Sequence, residues 1–327
     1  MISKLLRFVS IPLLLLLCSP SAQATDPYPT RPIEMIVGYS AGGPTDVTAR
    51  VLAKKLTEIL GQSVVVSNKT GSASLIATKE ILHSEPNGYK LLFASLGHNV
   101  NPLILPEQAG YDPVKDFAPI TLVATQPLVV VTGHNSEYGS MKELIAKAKQ
   151  GPGKVSFGSA GNGGSAHLAA ELLGLSAGVE MLHVPFRGNA PALAEVIAGR
   201  VSFMFYPSVG IAEQVSAKRL RVLAVGPSTG LKQFQDAPTM AGLGYKGFDD
   251  AAPWVGLLAP KGTPNAIVDR LNKAMNTALD TPEVREQLEK LGNVIVGGSQ
   301  QTFIDYLQKS TATMKNVIES AKVTVQK

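Results

Sequence analysis

The chain of 327 residues holds one cysteine, Cys18, and one tryptophan, Trp254, and only 6% of its positions are aromatic. Cys18 falls within the first 24 residues, so the body that follows has no disulfides and no metal site built on thiolates. Histidine is scarce too: there are five, and the last 144 residues contain none. Basic residues are scattered singly or in pairs such as Lys54-Lys55 and Lys218-Arg219, with a formal charge of +5, or +3 without Lys4 and Arg7. A basic stripe interleaved with aromatics is missing, which excludes nucleic acid as a partner. No apolar run beyond the first 24 residues is long enough to make a membrane helix.

What is present starts with MISKLLRFVSIPLLLLLCSPSAQATD. Lys4 and Arg7 precede an apolar run that ends in Ala22-Gln23-Ala24, the pattern of a secretory signal peptide (1–24) cleaved after Ala24. Cys18 offers lipid attachment as an alternative, but Leu17 precedes it where a small residue is wanted. The expected product is an exported, soluble body of about 300 residues, enough for two domains.

Short Val/Ile/Leu runs alternate with amphipathic stretches, which predicts an α/β fold of parallel sheets flanked by helices. The expected strands cover 33–37, 63–67, 89–94, 120–132, 155–158, 180–184, 201–205, 220–225 and 255–259. Ser140 and Glu143 form a capping box, Thr263-Pro264 opens another helix, and a last helix starts near Ser299. The extended segments 119–132 and 220–228 read as two passages between lobes. That assigns 26–124 plus 226–327 to lobe one and 125–225 to lobe two, joined by a two-strand hinge.

Two loops carry the chemistry. Gly38-Tyr39-Ser40-Ala41-Gly42 matches the G-x-S-x-G of a serine-hydrolase elbow. Such an elbow needs an oxyanion loop upstream and a histidine downstream, whereas Ser40 follows the first strand and the final 144 residues lack histidine. An exported serine hydrolase using Ser40 is therefore the weaker alternative. In the better reading, Ser40, Ala41, Gly42 and Gly43 let the backbone approach a ligand, and Pro44-Thr45-Asp46 starts a helix whose free N–H groups suit a carboxylate or phosphate. A tight turn without ligand is the plain alternative.

A second loop repeats this construction. Gly158 and Ser159-Ala160-Gly161-Asn162-Gly163-Gly164-Ser165 join a strand to a helix, and His167 lies one turn in. The loop fits neither the Walker pattern nor G-x-G-x-x-G, so no nucleotide cofactor is expected. His167 and His183 are packing residues or ligand contacts. Arg187 either pairs a distal carboxylate or holds a surface loop. Placed in different lobes, the two loops would face each other across a cleft.

The segments YPTRPIEMIVGYSAGGPTDVTAR, SFGSAGNGGSAHLAAELL, HVPFRGNAPALAEVIAGRVSFMF and PWVGLLAPKGTPNAIVDRLN resemble, in this order, the tripartite tricarboxylate transporter substrate-binding proteins, the Bug family of periplasmic solute receptors. The resemblance runs from about Tyr28 to beyond Tyr306. It implies a type II periplasmic-binding-protein fold of two Rossmann-like lobes that close like a venus flytrap. The ligand would be a mono- or dicarboxylic or aromatic acid, bound without metal or cofactor. Loops 39–46 and 159–167 would hold its carboxylate through main-chain donors and waters. The implied partners are membrane transporter subunits, for a monomeric receptor in the periplasm; an orphan receptor that signals to a sensor kinase is the other option. Two positions bear on the ligand's far end. Tyr206 stands where relatives usually carry Asp, which argues against amino-acid ligands, and Trp254 stands where the family often has a tryptophan near the cleft, though a lone tryptophan also suits a core.

Overall fold

The computed structural model describes residues 28–249 and 251–320, so the expected signal peptide and Cys18 lie outside the described residues. The chain opens with β1 (Ile33–Val37), α1 (Pro44–Leu60), β2 (Val64–Asn68), α2 (Leu75–Leu82), β3 (Lys90–Ser95), α3 (Gly97–Ile104), the single turn α4 (Pro106–Ala109) and β4 (Phe117–Thr125). It crosses into β5 (Leu128–Gly133), α5 (Met141–Ala148), β6 (Ser156–Ser159), α6 (Ser165–Ala177), β7 (Leu182–Pro185), α7 (Asn189–Ile197), β8 (Met204–Pro207), α8 (Ile211–Ser216) and β9 (Leu220–Val225). The remainder supplies β10 (Trp254–Pro260), α9 (Asn265–Asp280), α10 (Pro282–Leu291), β11 (Val294–Ile295) and α11 (Gln300–Ser320).

Six strands form one sheet in the order β11-β4-β10-β3-β1-β2. Its side chains alternate between two cores, as strand geometry requires. Ile33, Met35 and Val37 of β1 face α1 and α9, while Ile36 faces the core that holds Phe303 and Leu307 of α11. The other half has the order β8-β5-β9, and the parallel pair β6-β7 abuts β8 through a bridge between Phe157 and Phe203. Its core gathers Val129, Val131, Phe157, Phe203 and Leu173.

Several expectations change here. The sheets are mixed, because β10 runs antiparallel to β3 and β4, and β5 antiparallel to β8 and β9. The single strand expected over 120–132 is two strands in different sheets, broken at Gln126-Pro127, where proline removes a ladder donor. Residues 226–249 and Ala251, read with lobe one, pack instead on the second core. Met240 donates its N–H to the Val225 carbonyl, and Phe248 and Ala251 are buried there, so the chain regains the large sheet only at Trp254. Asn265 opens α9, with Pro264 before it, and the Thr263 hydroxyl turns back to the Pro260 carbonyl at 2.7 Å. Ser140 does cap α5 by accepting from the Glu143 N–H, while the Glu143 carboxylate takes the N–H of Gly139, one residue earlier than a reciprocal box would use.

A buried polar knot marks the crossing between the halves. Gln126 Nε2 donates to Thr48 Oγ1 at 3.2 Å and to Asn293 Oδ1 at 3.0 Å, and all three side chains are buried. Ser208 donates its N–H to Pro127 and its hydroxyl to the Gly292 carbonyl. The start of α1, the crossing strand and the end of α10 are thereby tied at one point.

His98 lies in the core beside Tyr111, Phe117 and Trp254, with Nε2 2.8 Å from the Pro113 carbonyl. Burial pushes its pKa down to about 4, against a weaker upward pull from the Pro113 carbonyl and Asp112. The unfolded imidazole takes a proton below about 6.5 and the folded one does not until about 4, so stability is whole above 6.5 and lost as pH falls between them. Urea unfolding across that window is expected to show His98 contributing about 3 kcal/mol to the loss. His98→Gln should flatten the dependence; an unchanged slope would remove His98 as its source.

Candidate functional site

The strands β1, β2 and β3 run parallel, as do β6 and β7, so their carboxyl ends point the same way within each half. Each of the five leads through a short loop into a helix, which places the starts of α1, α2, α3, α6 and α7 at those ends. Sites in α/β folds form at such edges. None of the five helices carries a side-chain cap, so first-turn N–H groups remain as donors apart from those of Leu75 and Asn99, which bond to the Ser72 and Leu96 carbonyls.

The loop after β1 is held from behind. Asp46, 1% exposed, accepts the Gly42 N–H at 2.9 Å, Asn68 Nδ2 at 2.9 Å and Arg50 Nε at 2.9 Å. Burial raises the Asp46 pKa, but the bonds from Arg50, Gly42 and Asn68 outweigh it and hold the carboxyl below its usual range. Asp46 therefore shapes the loop with its side chain, and its own N–H and that of Thr45 have no acceptor among the described residues. The Ser40 hydroxyl is buried and likewise unpartnered. No histidine reaches it, so the elbow lacks a general base. Tyr39 and Gly43 are buried, whereas Ala41 and Gly42 face outward.

The loop after β6 is held by two stacked imidazoles. His167 Nδ1 accepts the Gly163 N–H at 3.0 Å, and His183 Nε2 lies 2.6 Å from Ser159 Oγ, which in turn accepts the Gly161 N–H at 3.1 Å. The two rings stack at 4.0 Å and 9°, with Phe157 against His183. Burial and then the neighbouring His167 push His183 down to about 3, so it is neutral at pH 7. Ser159 is fully buried with its hydroxyl committed to the loop, which makes the Ser159–His183 pair a brace. Gly161 and Gly163 have their N–H groups occupied in this brace, while those of Ala166 and His167 in the first turn of α6 have no acceptor among the described residues. Ala160 packs into the core of the first half; Asn162 and Ser165 are partly exposed.

Three further elements join these loops; of them the sequence marks only the segment 68–74, as a departure from the more glycine-rich and proline-containing pattern of the family it resembles. Ser72, Ala73 and Ser74 all adopt positive φ, at 44°, 47° and 77°, a strain of about 1–3 kcal/mol at each non-glycine position. Ser74 precedes α2, and its buried hydroxyl has no partner among the described residues. It fits because residue 38 is glycine: a Cβ there would lie 1.9 Å from Ser74 Oγ. Asn101 of α3 donates to the Ala73 carbonyl at 3.1 Å. Asn189, at the start of α7, buries an unpartnered Oδ1. The signal available was the small-residue run Gly71-Ser72-Ala73-Ser74 between a strand and a helix, the same construction as the other two loops.

Of the remaining candidates, Arg187 is exposed and makes no hydrogen bond or ion pair among the described residues. Tyr206 is 4% exposed on β8, and burial raises its phenol pKa. Trp254 belongs to the core. It is fully buried, donates Nε1–H to Asn99 Oδ1 at 3.2 Å and packs on His98 and Phe303, so the structure does not bring it to the loops.

The two halves touch here. A Cβ added to Gly188 would lie 2.2 Å from Ser40 Oγ and 2.9 Å from Ser40 N. Gly188→Ala is expected to hold the halves apart, and small-angle scattering should then show a larger radius of gyration in a still-folded protein. A radius equal to the wild type would refute this contact as a control of closure.

A family profile described as the tripartite tricarboxylate transporter family receptor matches residues 48–323. Protein BugT of Bordetella pertussis is 38% identical over 275 residues, covering 82% of each chain. Among solved structures, the periplasmic binding protein BugD superposes with a TM-score of 0.87 at 32% identity, over 91% of this chain and 100% of that one. An R. palustris protein described as Rpa4515 with adipate gives 0.86 at 30% identity, over 91% and 99%.

Proposed function

The chain belongs to the tripartite tricarboxylate transporter receptor family, and from that premise we propose that it captures a small organic carboxylate in the periplasm and delivers it to a membrane transporter. One lobe is built on the six-stranded sheet and the other on β5 to β9 with residues 226–249. The observation that carries the reading is the meeting of five uncapped helix starts around the buried, unpartnered Ser40 Oγ, Ser74 Oγ and Asn189 Oδ1. Buried polar atoms normally have partners. Carboxylate oxygens satisfy N–H and O–H donors at once, and the helix dipoles favour negative charge there. Ordered water would serve the Asn189 oxygen.

Among the described residues no helix is long and apolar enough to cross a membrane. Export and a role as a freely diffusing receptor are consistent with that. Closure of the lobes on the anion gives bound and free forms that a transporter can tell apart. Binding by main-chain donors needs no catalytic side chain, and Ser40 serves as a donor.

A thermal-shift screen against organic acids tests the proposal. A ligand present at a thousand times its Kd stabilises by about 4 kcal/mol, a plain shift in melting temperature. Ser74→Ala should weaken the best acid by roughly tenfold or more, the worth of one hydrogen bond to a charged group. Folded protein that responds to no carboxylate, or a Ser74→Ala variant that binds like wild type, would contradict the reading.

A further inference from the structure

Helix α6 is apolar on two sides. Ala166, Ala169, Ala170 and Leu173 recur at the spacing of one helical stripe and are buried in the core of their own lobe with Val131 and Phe203. Leu168 is two residues from both Ala166 and Ala170, roughly half a turn around the helix, so it points away from that core. Leu175, two turns further along the same side, is 52% exposed, as a leucine turned away from its own core should be. Leu168 is 1% exposed, and the core that buries it belongs to the other lobe, where it joins Leu96 and Val100 at α3 and Met314 of α11.

The chain just before it makes the same crossing. A Cβ added to Gly163 would lie 2.1 Å from Ile104 Cδ1 and 3.2 Å from Val100 Cγ1, so the loop ahead of α6 is seated directly on the end of α3. Ala160 packs into the core of lobe one as well. The side chains that meet here are hydrocarbon, and hydrophobic burial follows the area removed from water, so this contact holds whether or not an anion fills the site. Separating the lobes would turn Leu168 out to water, and keeping a leucine buried rather than exposed favours the buried form by about tenfold or more. Leu168 also follows His167, whose N–H is one of the free donors of α6, so burying the leucine brings that donor turn against lobe one.

We propose that Leu168 is an apolar latch: seated against α3 and α11, it keeps a measurable fraction of the receptor closed without any ligand. This goes beyond the carboxylate reading, because it concerns the free protein. A ligand that binds only the closed form has its apparent affinity reduced in proportion to the closed fraction, so a side chain turned into the protein sets the affinity of the site.

Electron–electron distance measurement between two spin labels on the ligand-free protein tests the latch. The chain from residue 25 onward has no cysteine, so Glu85→Cys and Lys154→Cys, exposed positions before β3 and β6 at the ends of the two lobes away from the helix starts, give two clean labels. The unsubstituted latch should show a short and a long distance. Leu168→Ala should lower the short-to-long ratio by about tenfold or more, the worth of the lost burial, and Leu168→Met, which refills the apolar volume, should keep most of it. Ile104→Ala, at a half-buried position on the facing lobe, should move the ratio the same way, and it carries the test alone if Leu168→Ala does not fold. A distribution without the short component, or one that neither Leu168→Ala nor Ile104→Ala changes, would overturn the latch. Because no ligand is used, that failure would leave the carboxylate receptor standing.

Discussion

Main-chain N–H groups can hold a carboxylate only if the free protein leaves them unpaired, and much of this structure follows from that constraint. A helix start supplies such donors without a fixed cation, and five of them meet where the two halves touch. Parallel strands put the starts there, because each β-to-α loop emerges at the same edge of its sheet. The antiparallel strands β10 and β5 serve a different purpose, carrying the chain between halves.

Unpaired donors make a loop soft, and the surrounding side chains stiffen it. Asp46 ties Gly42 to Asn68 and Arg50 on one side. On the other, the stacked His167 and His183 fix Gly163 and, through Ser159, Gly161. These side chains lie behind the loops and set the positions of the donors, and in the proposed receptor recognition falls to backbone and hydroxyls. Strain at Ser72, Ala73 and Ser74 belongs to the same arrangement, since positive φ there presents the Ser74 hydroxyl where Gly38 leaves room.

Much of this was legible in the sequence. The runs at 33–37 and 220–225 appear as β1 and β9, because alternation and flanking glycine or turn residues agree there. Loops 39–46 and 159–167 were legible because glycine clusters between a strand and a helix have few other uses. The loop at 71–74 was harder to see, since its left-handed residues are serine and alanine rather than glycine. Trp254 shows a different difficulty: composition cannot tell a core tryptophan from a cleft one, and its place is decided by Asn99 and Phe303, distant in sequence. The break at Gln126-Pro127 was hidden inside a continuous apolar run, where only the proline signalled a change of sheet. Residues 226–251 carried no periodicity to say which core they would join.

The most direct test of main-chain recognition is amide hydrogen exchange of the protein with and without a saturating carboxylate, resolved at the first turns of α1 and α6. Protection should rise at Thr45 and Asp46 and at Ala166 and His167 together, one pair from each half. Protection confined to a single half, or absent from both turns while the acid is bound, would contradict an anion held between helix starts.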